Sequence, residues 1–279
     1  MTSFDSLSQW DYLLKNLGVW HGSFTQLSPH GDVVSDTPTC VSLEGLDENQ
    51  TVRQVVRRFS PETGQLSQEQ VFEYRSLNRS VLVFEAGAFS QGSIQWAPFT
   101  QFGAELGFMA GDRRLRLVEL FDGDAQLSSF TLIREALTPD APSVRPSVTV
   151  DQLVGEWQGE AVVLYPDLRG RDRYPTQLRI QQKGDRLEQC ITTPTFTVTS
   201  TADIHRNRLL FPDRETVVQV LLLPEGASAT TPLTIPKGRP FFLEAGWLIS
   251  PTLRQRMIRR YDERGGWESL TLVTEQKMS

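Results

Sequence analysis

Little in this chain of 279 residues suits metal or thiol chemistry. There are two cysteines, Cys40 and Cys190, 150 positions apart, and three histidines. So few and so scattered, they exclude a zinc cluster, a C-x-x-C redox pair and a disulfide scaffold. A reduced, cytoplasmic setting is expected, with no metal site and both cysteines buried and inert. No run of about 18 apolar residues occurs, which excludes a membrane-spanning helix. The opening MTSFDSLSQWDYLLKNLG has no basic start followed by an apolar core, so neither a secretory signal nor a transit peptide is expected. A net charge of −6 argues against binding nucleic acid or anionic lipid in bulk. The G-x-S-x-G elbow, the P-loop, G-x-G-x-x-G and H-E-x-x-H are all absent. Lysine is scarce too: Lys15, Lys183, Lys237 and Lys277 leave 24 arginines among the 28 basic residues. Arginine suits bidentate recognition of carboxylates and planar stacking. Codon usage explains most of the bias, and a few of these arginines are candidates for a site.

What is present is a duplication. Residues 138–147, TPDAPSVRPS, read as a proline-stiffened linker between a domain at 1–137 and another at 148–279. The first half opens Gly18-Val19-Trp20-His21-Gly22 and the second Gly155-Glu156-Trp157-Gln158-Gly159, 137 positions on. Residues 114–135 also lie on 254–275 without gaps, with seven identities at an offset of 140. Glu105 and Glu244 come into line after a one-residue adjustment.

Each copy reads as β. Alternating, β-branched segments recur at 52–59, 70–76, 80–86, 195–201, 216–223 and 269–275, separated by turn sequences such as SPETGQ, NRS and DERGG. Eight to ten short strands per copy predict a closed antiparallel barrel or sandwich. Phe4, Leu7, Trp10, Leu14 and Leu17 recur at helical spacing, which predicts a short helix before the first strand with Gly18 as its C-cap. Thr149 can cap a shorter one before the second copy.

A Gly-x-Trp opening the first strand resembles lipocalins, in which the Trp closes the barrel floor. The segment Glu244-Ala-Gly-Trp247-Leu-Ile-Ser250-Pro251-Thr-Leu253-Arg254-Gln-Arg256 is more specific. It resembles the late-strand signature of the S-type phycobiliprotein lyases of cyanobacteria. The tandem layout is similar to a broader cyanobacterial and plastid family of lipocalin-like fold. These resemblances imply an all-β chain of two tandem lipocalin-like barrels, each preceded by a short helix. They also imply a bilin, an open-chain tetrapyrrole, as transient ligand rather than a resident cofactor, and a cyanobacterial cytosol or plastid stroma. A phycobiliprotein or photosystem subunit would be the partner, served by lyase-like attachment or by a carrier role. The alternative is a non-enzymatic assembly factor for photosynthetic complexes with filled barrels.

By position, the resemblance implies Glu244 and Arg254 as the catalytic pair, with Arg256 and Trp247 also on the ligand. A guanidinium would pair with a propionate, and the carboxylate would face pyrrole nitrogens. Arg254, Arg256 and Ile258 share one strand face, but alternation leaves open whether it looks inward, because Leu253 and Met257 occupy the other. An outer arginine ladder paired with acids is the competing reading. In the first copy Glu105, Arg114 and Arg116 are kept, while Phe108 replaces the Trp and Gly111-Asp112 the Ser-Pro. His21 has Gln158 as its counterpart and reads as an ordinary polar residue. The opening of the second copy also resembles nitrobindin-type haem barrels. Those need a histidine near the C-terminus, whereas the last one here is His205. Of six tryptophans, Trp96 and Trp247 are the candidates for lining a cavity.

Overall fold

The computed structural model describes residues 8–138, 146–212 and 216–278. The expected linker lies, from 139 to 145, outside the described residues. In the first half α1 (Gln9–Leu13) passes through a 3-10 turn (Leu14–Asn16) into β1 (Gly18–Leu27). There follow β2 (Val33–Leu46), β3 (Thr51–Phe59), β4 (Leu66–Tyr74), β5 (Val81–Val83), β6 (Phe89–Gly92), β7 (Phe102–Ala110), β8 (Arg113–Phe121) and β9 (Leu127–Ala136). The second half begins with α2 (Val150–Leu153), β10 (Gly155–Leu164), β11 (Asp172–Lys183), β12 (Arg186–Thr192), β13 (Thr197–His205) and β14 (Arg208–Phe211). It ends with β15 (Val218–Leu222), β16 (Ala227–Pro232), β17 (Phe241–Ser250), β18 (Leu253–Tyr261) and β19 (Trp267–Lys277). Every pairing within these strands is antiparallel, and no helix among the described residues is long and apolar enough to cross a membrane.

The fold is all-β and tandem lipocalin-like, with one departure from two closed barrels. Strands β10 to β19 close on themselves, with β14 bridging β13 and β15, whereas β1 to β9, although β1 and β9 pair as β10 and β19 do, form a curled sheet with free edges at β4 and β5. Among the described residues the first half has no counterpart of β14. Residues 75–80 turn instead, with the Asn78 side chain accepting from the Ser80 N–H at 2.9 Å, so the chain reverses before it can bridge the seam.

Both motif tryptophans are locked alike. Trp20 Nε1 donates to the Asn16 carbonyl, and Trp157 Nε1 to the Leu153 carbonyl, each at 2.9 Å, so the helical turn is tied over one end of its sheet. Ser8 and Asp11 form a capping box that starts α1, and the Gln152 side chain accepts from the Thr149 N–H at the start of α2. Gly18 is not a C-cap. Leu17 has already turned extended (φ −59°, ψ 145°), and Gly18, at φ +136°, begins β1.

The two halves share one core. Outward-facing residues of β7 to β9 and of β16 to β19 pack together in a single apolar cluster. At its centre Tyr261 stacks on Phe241 at 4.8 Å, and Phe102 meets both rings edge-on at 4.9 and 5.6 Å. The contacts are reciprocal. Trp267 N–H donates to the Ile94 carbonyl (2.8 Å), and Leu127 N–H to the Leu233 carbonyl (2.9 Å), so each half places its last hairpin on the other as in an isologous dimer.

Two charged residues at equivalent positions, Glu119 and Arg259, are sealed in this joint. Both are fully buried. Arg259 lies 3.4 Å from the Trp267 ring centroid and donates to the Tyr261 hydroxyl (2.7 Å), Ser90 Oγ (3.1 Å) and the Ser93 carbonyl (3.1 Å). Glu119 is less well served. Neither carboxyl oxygen makes a hydrogen bond of good geometry, and the Thr231 hydroxyl beside it turns to the Pro232 carbonyl at 3.5 Å. Burial, with a smaller push from Glu244, raises its carboxyl well above the ordinary range. A raised acid supports the fold below its unfolded pKa, and that support is lost as pH rises through the folded one. Glu119→Gln is therefore expected to gain about 1–3 kcal/mol at pH 8 and nothing at pH 4, read from urea unfolding at both.

Candidate functional site

Strand register builds the same array of side chains twice. In the second half Thr176, Gly159, Glu275 and Arg254 stand in one row across β11, β10, β19 and β18. In the first, Thr39, Gly22, Glu135 and Arg114 occupy the equivalent row. The second glycine of each G-x-W-x-G now has a reason: a Cβ at Gly22 would strike the Arg134 carbonyl, and one at Gly159 the Thr274 carbonyl and Glu275 Cα. The glycine lets the neighbouring strand close in and leaves room for the glutamate that follows.

Arg254, Arg256 and Ile258 face the barrel interior, which settles the question that alternation left open. Met257 and Tyr261 point outward into the joint with the first half. Glu275 Oε1 accepts from Arg254 Nε at 2.5 Å and from Arg256 Nε at 3.1 Å, and Arg256 Nη1 approaches Glu244 at 3.5 Å. The Arg254 guanidinium also lies over the Trp157 ring, 4.9 Å from its centroid. In the first half Arg114 and Arg116 pair with Glu135 at 2.7 and 2.9 Å, Arg116 with Glu105 at 2.6 Å, and Arg114 lies over Trp20 at 4.5 Å.

Burial pushes the Glu275 and Glu135 carboxyls up, but the two arginines beside each more than offset it and hold them below their ordinary value. Glu244, with its looser partner, stays raised by burial. Burial lowers Arg254, while Glu275 and Glu244 outweigh burial at Arg256 and raise it.

A cavity of about 450 Å³ fills the second barrel, within the usual range for small-molecule sites. Its lining is apolar at Leu178, Ile180, Leu209, Phe211 and Val220 and carries a polar patch on β17 and β18, Glu244, Arg254 and Arg256, with Thr176 on β11. Trp247 is not in it. Its ring sits in the joint, 6.2 Å from Phe108, with Nε1 donating to the Glu225 carbonyl at 3.1 Å. Position 247 is odd on β17, whose even members face the lumen. Trp96 likewise packs on the shared core, its N–H on the Gly265 carbonyl. His21 lies on the face of β1 opposite Trp20. Cys40 and Cys190 are free and only half-buried. Glu135 and Glu275 hold both clusters together, and the one signal in the sequence that points to them is that they are one of the seven identities of the repeat. No group of three or more His, Cys, Asp or Glu among the described residues is arranged to hold a metal ion.

Fold and lumen together define a tandem lipocalin-like barrel protein with one hollow member. The chain belongs to the DUF3598 family. Residues 6–140 match the family model described as "Domain of unknown function (DUF3598), N-terminal", and residues 144–278 match "Biogenesis factor required for ATP synthase 1, C-terminal domain". A crystal structure of a DUF3598-family protein of unknown function from Nostoc punctiforme is 48% identical. The match covers 98% of this chain and 100% of that one, with a TM-score of 0.91. The S-type phycobiliprotein lyase from Guillardia theta matches 47% of this chain and 90% of its own, at 14% identity and a TM-score of 0.35. No curated protein matches the chain.

Removing the shared carboxylate should be severe, because it leaves two guanidiniums buried without their partner. Glu275→Gln is expected to destabilise the protein by about 3–5 kcal/mol at pH 7. Glu135 and Glu275 are both lowered, so their support is present above the ordinary carboxylate pKa and lost as pH falls through the folded one. The thermal midpoint should therefore fall between pH 6 and pH 3, and less steeply in Glu275→Gln.

Proposed function

We propose that this chain is a binding protein that holds an open-chain tetrapyrrole in its second barrel and acts as a carrier or chaperone during assembly of a multi-subunit complex. The observation that carries this reading is the lumen of the closed barrel: about 450 Å³, lined by apolar side chains and by a polar patch of Arg254, Arg256 and Glu244. A flat, conjugated guest with polar edges fits such a space better than a fatty acyl chain, which would leave the polar patch unmatched. Glu244, which lines the lumen beside Arg256, is placed to accept from the guest's pyrrole N–H groups. Arg254, tied to Glu275 and the Trp157 ring, is placed to fix the guest's orientation.

A second reading has its own support. The match of residues 144–278 to a domain named for a biogenesis factor of ATP synthase favours an assembly factor that acts through its outer surface. The two readings separate in one titration. Purified protein mixed with phycocyanobilin should sharpen and red-shift the pigment's absorption band. Val220→Trp, which places an indole in the lumen, should abolish the change while the far-ultraviolet circular dichroism stays the same. A spectrum unmoved by the protein, or moved equally by Val220→Trp, would put the surface-acting assembly factor ahead.

A further inference from the structure

The two free edges of the first sheet are not alike. β5 is three residues long, and the Gln9 side chain closes on it. Gln9 Oε1 accepts from the Val83 N–H at 2.7 Å, and its Nε2 donates to the Val83 carbonyl at 2.9 Å. One side chain of α1 thus supplies the bonds that a neighbouring strand would make. β4 is nine residues long, and among the described residues only β3 pairs with it. Its side chains bond back to β3, Glu69 to Arg57 at 2.7 Å and Gln68 and Gln70 to Arg58 at 3.1 and 2.9 Å. Leu66, Val71 and Phe72 are each about half-exposed. The segment LSQEQVFEY has neither the lysine nor the proline that commonly blunts an edge.

The second half shows what kind of element fits beside it. β13 is the fourth strand there, as β4 is in the first half, and its C-terminal end takes up β14 antiparallel. Asp203, Ile204 and His205 pair with Leu210, Leu209 and Arg208. With no such strand after β4, the place beside its own C-terminal end is open to an antiparallel strand from elsewhere.

The sequence of β4 suits a second copy of itself. Its register with β3 slips between Arg58 and Phe59, so the regular edge runs from Gln68 to Tyr74. Antiparallel edges of two copies meet about a two-fold axis, which must centre on one residue if each face is to continue into the same face. Centring on Val71 sets Glu69 against Glu73 of the second copy, a like-charge pairing made twice. Centring on Gln70 avoids this but sets Phe72 against Gln68. Centring on Phe72 places ring against ring, Gln70 against Tyr74 and Val71 against Glu73. It also carries Glu69 toward Arg75, which is exposed just past the strand. That centre uses the same end of β4 as the end of β13 that receives β14.

We infer that the edge of β4 is a dimerisation surface, on which a second copy of this chain adds its own β4 antiparallel about an axis at Phe72. The added strand takes the position that β14 occupies in the second half, and two first-half sheets become one continuous sheet. The inference is independent of what the second barrel holds.

Sedimentation of the full chain across the micromolar range should show a reversible monomer–dimer equilibrium. Val71→Glu faces Glu73 of the other copy and should weaken association about tenfold or more, whereas Val71→Lys should strengthen it. Phe72→Cys should form a covalent dimer on mild oxidation, because directly opposite Cα atoms lie about 4.5–5.5 Å apart, within disulfide reach. Val71→Cys should not, its two copies standing about 8 Å apart. The unsubstituted chain controls for Cys40 and Cys190. A monomer at every concentration, or a dimer indifferent to both charges at position 71, would overturn the inference. Should Val71→Glu lose its far-ultraviolet circular dichroism, the cross-link decides, and its absence in Phe72→Cys is equally fatal.

Discussion

A sheet whose outer face is buried against another sheet has little room for charges except in its interior, and it can keep them there only if each finds a partner. That constraint organises this molecule. Strands β8 and β18 give most of their outward side chains to the joint between the halves, and Arg114, Arg116, Arg254 and Arg256 turn into the sheet interiors, where Glu135 and Glu275 receive them. The tryptophan of each opening motif lies under one guanidinium, the glycine two residues on makes room for the glutamate, and the helical turn ties the tryptophan down. The charged lining of the second barrel is thus a by-product of how the two halves are held together.

The joint also accounts for the division of labour. Both halves begin from one blueprint, and the first spends its interior on itself: Phe24 covers its cluster and Asn16 completes it. The second has Leu153 and Ala161 at those positions, by the 137-residue offset of the opening motif, and gains β14, which closes the wall. A hollow closed barrel beside an open curled sheet accompanies these few changes. The reciprocal backbone contacts hold the two as one body.

How much of this was legible in the sequence divides along physical lines. The duplication, the β character and the arginine pair at 254 and 256 could be read, because they rest on local periodicity and on identities between copies. The orientation of that pair could not, since alternation reports which face is apolar, and here the apolar face of β18 is the one buried in the joint. The same inversion misplaced Trp247, whose odd position on β17 sends it to the joint with Phe108. Closure was equally hidden: NRS at 78–80 signals a turn, but nothing local says that the turn replaces a strand. Glu119 and Arg259 look like surface residues of exposed strands until the partner half covers them.

The central claim is that the guest belongs inside the second barrel and nowhere else on the chain. The most direct measurement is a crystal structure of the protein grown with phycocyanobilin. The account predicts pigment density in the lumen, reaching to Arg254 and Thr176, with the interior of the first half unchanged. Pigment on the outer surface or in the trough of the first sheet, with the second lumen empty, would contradict it.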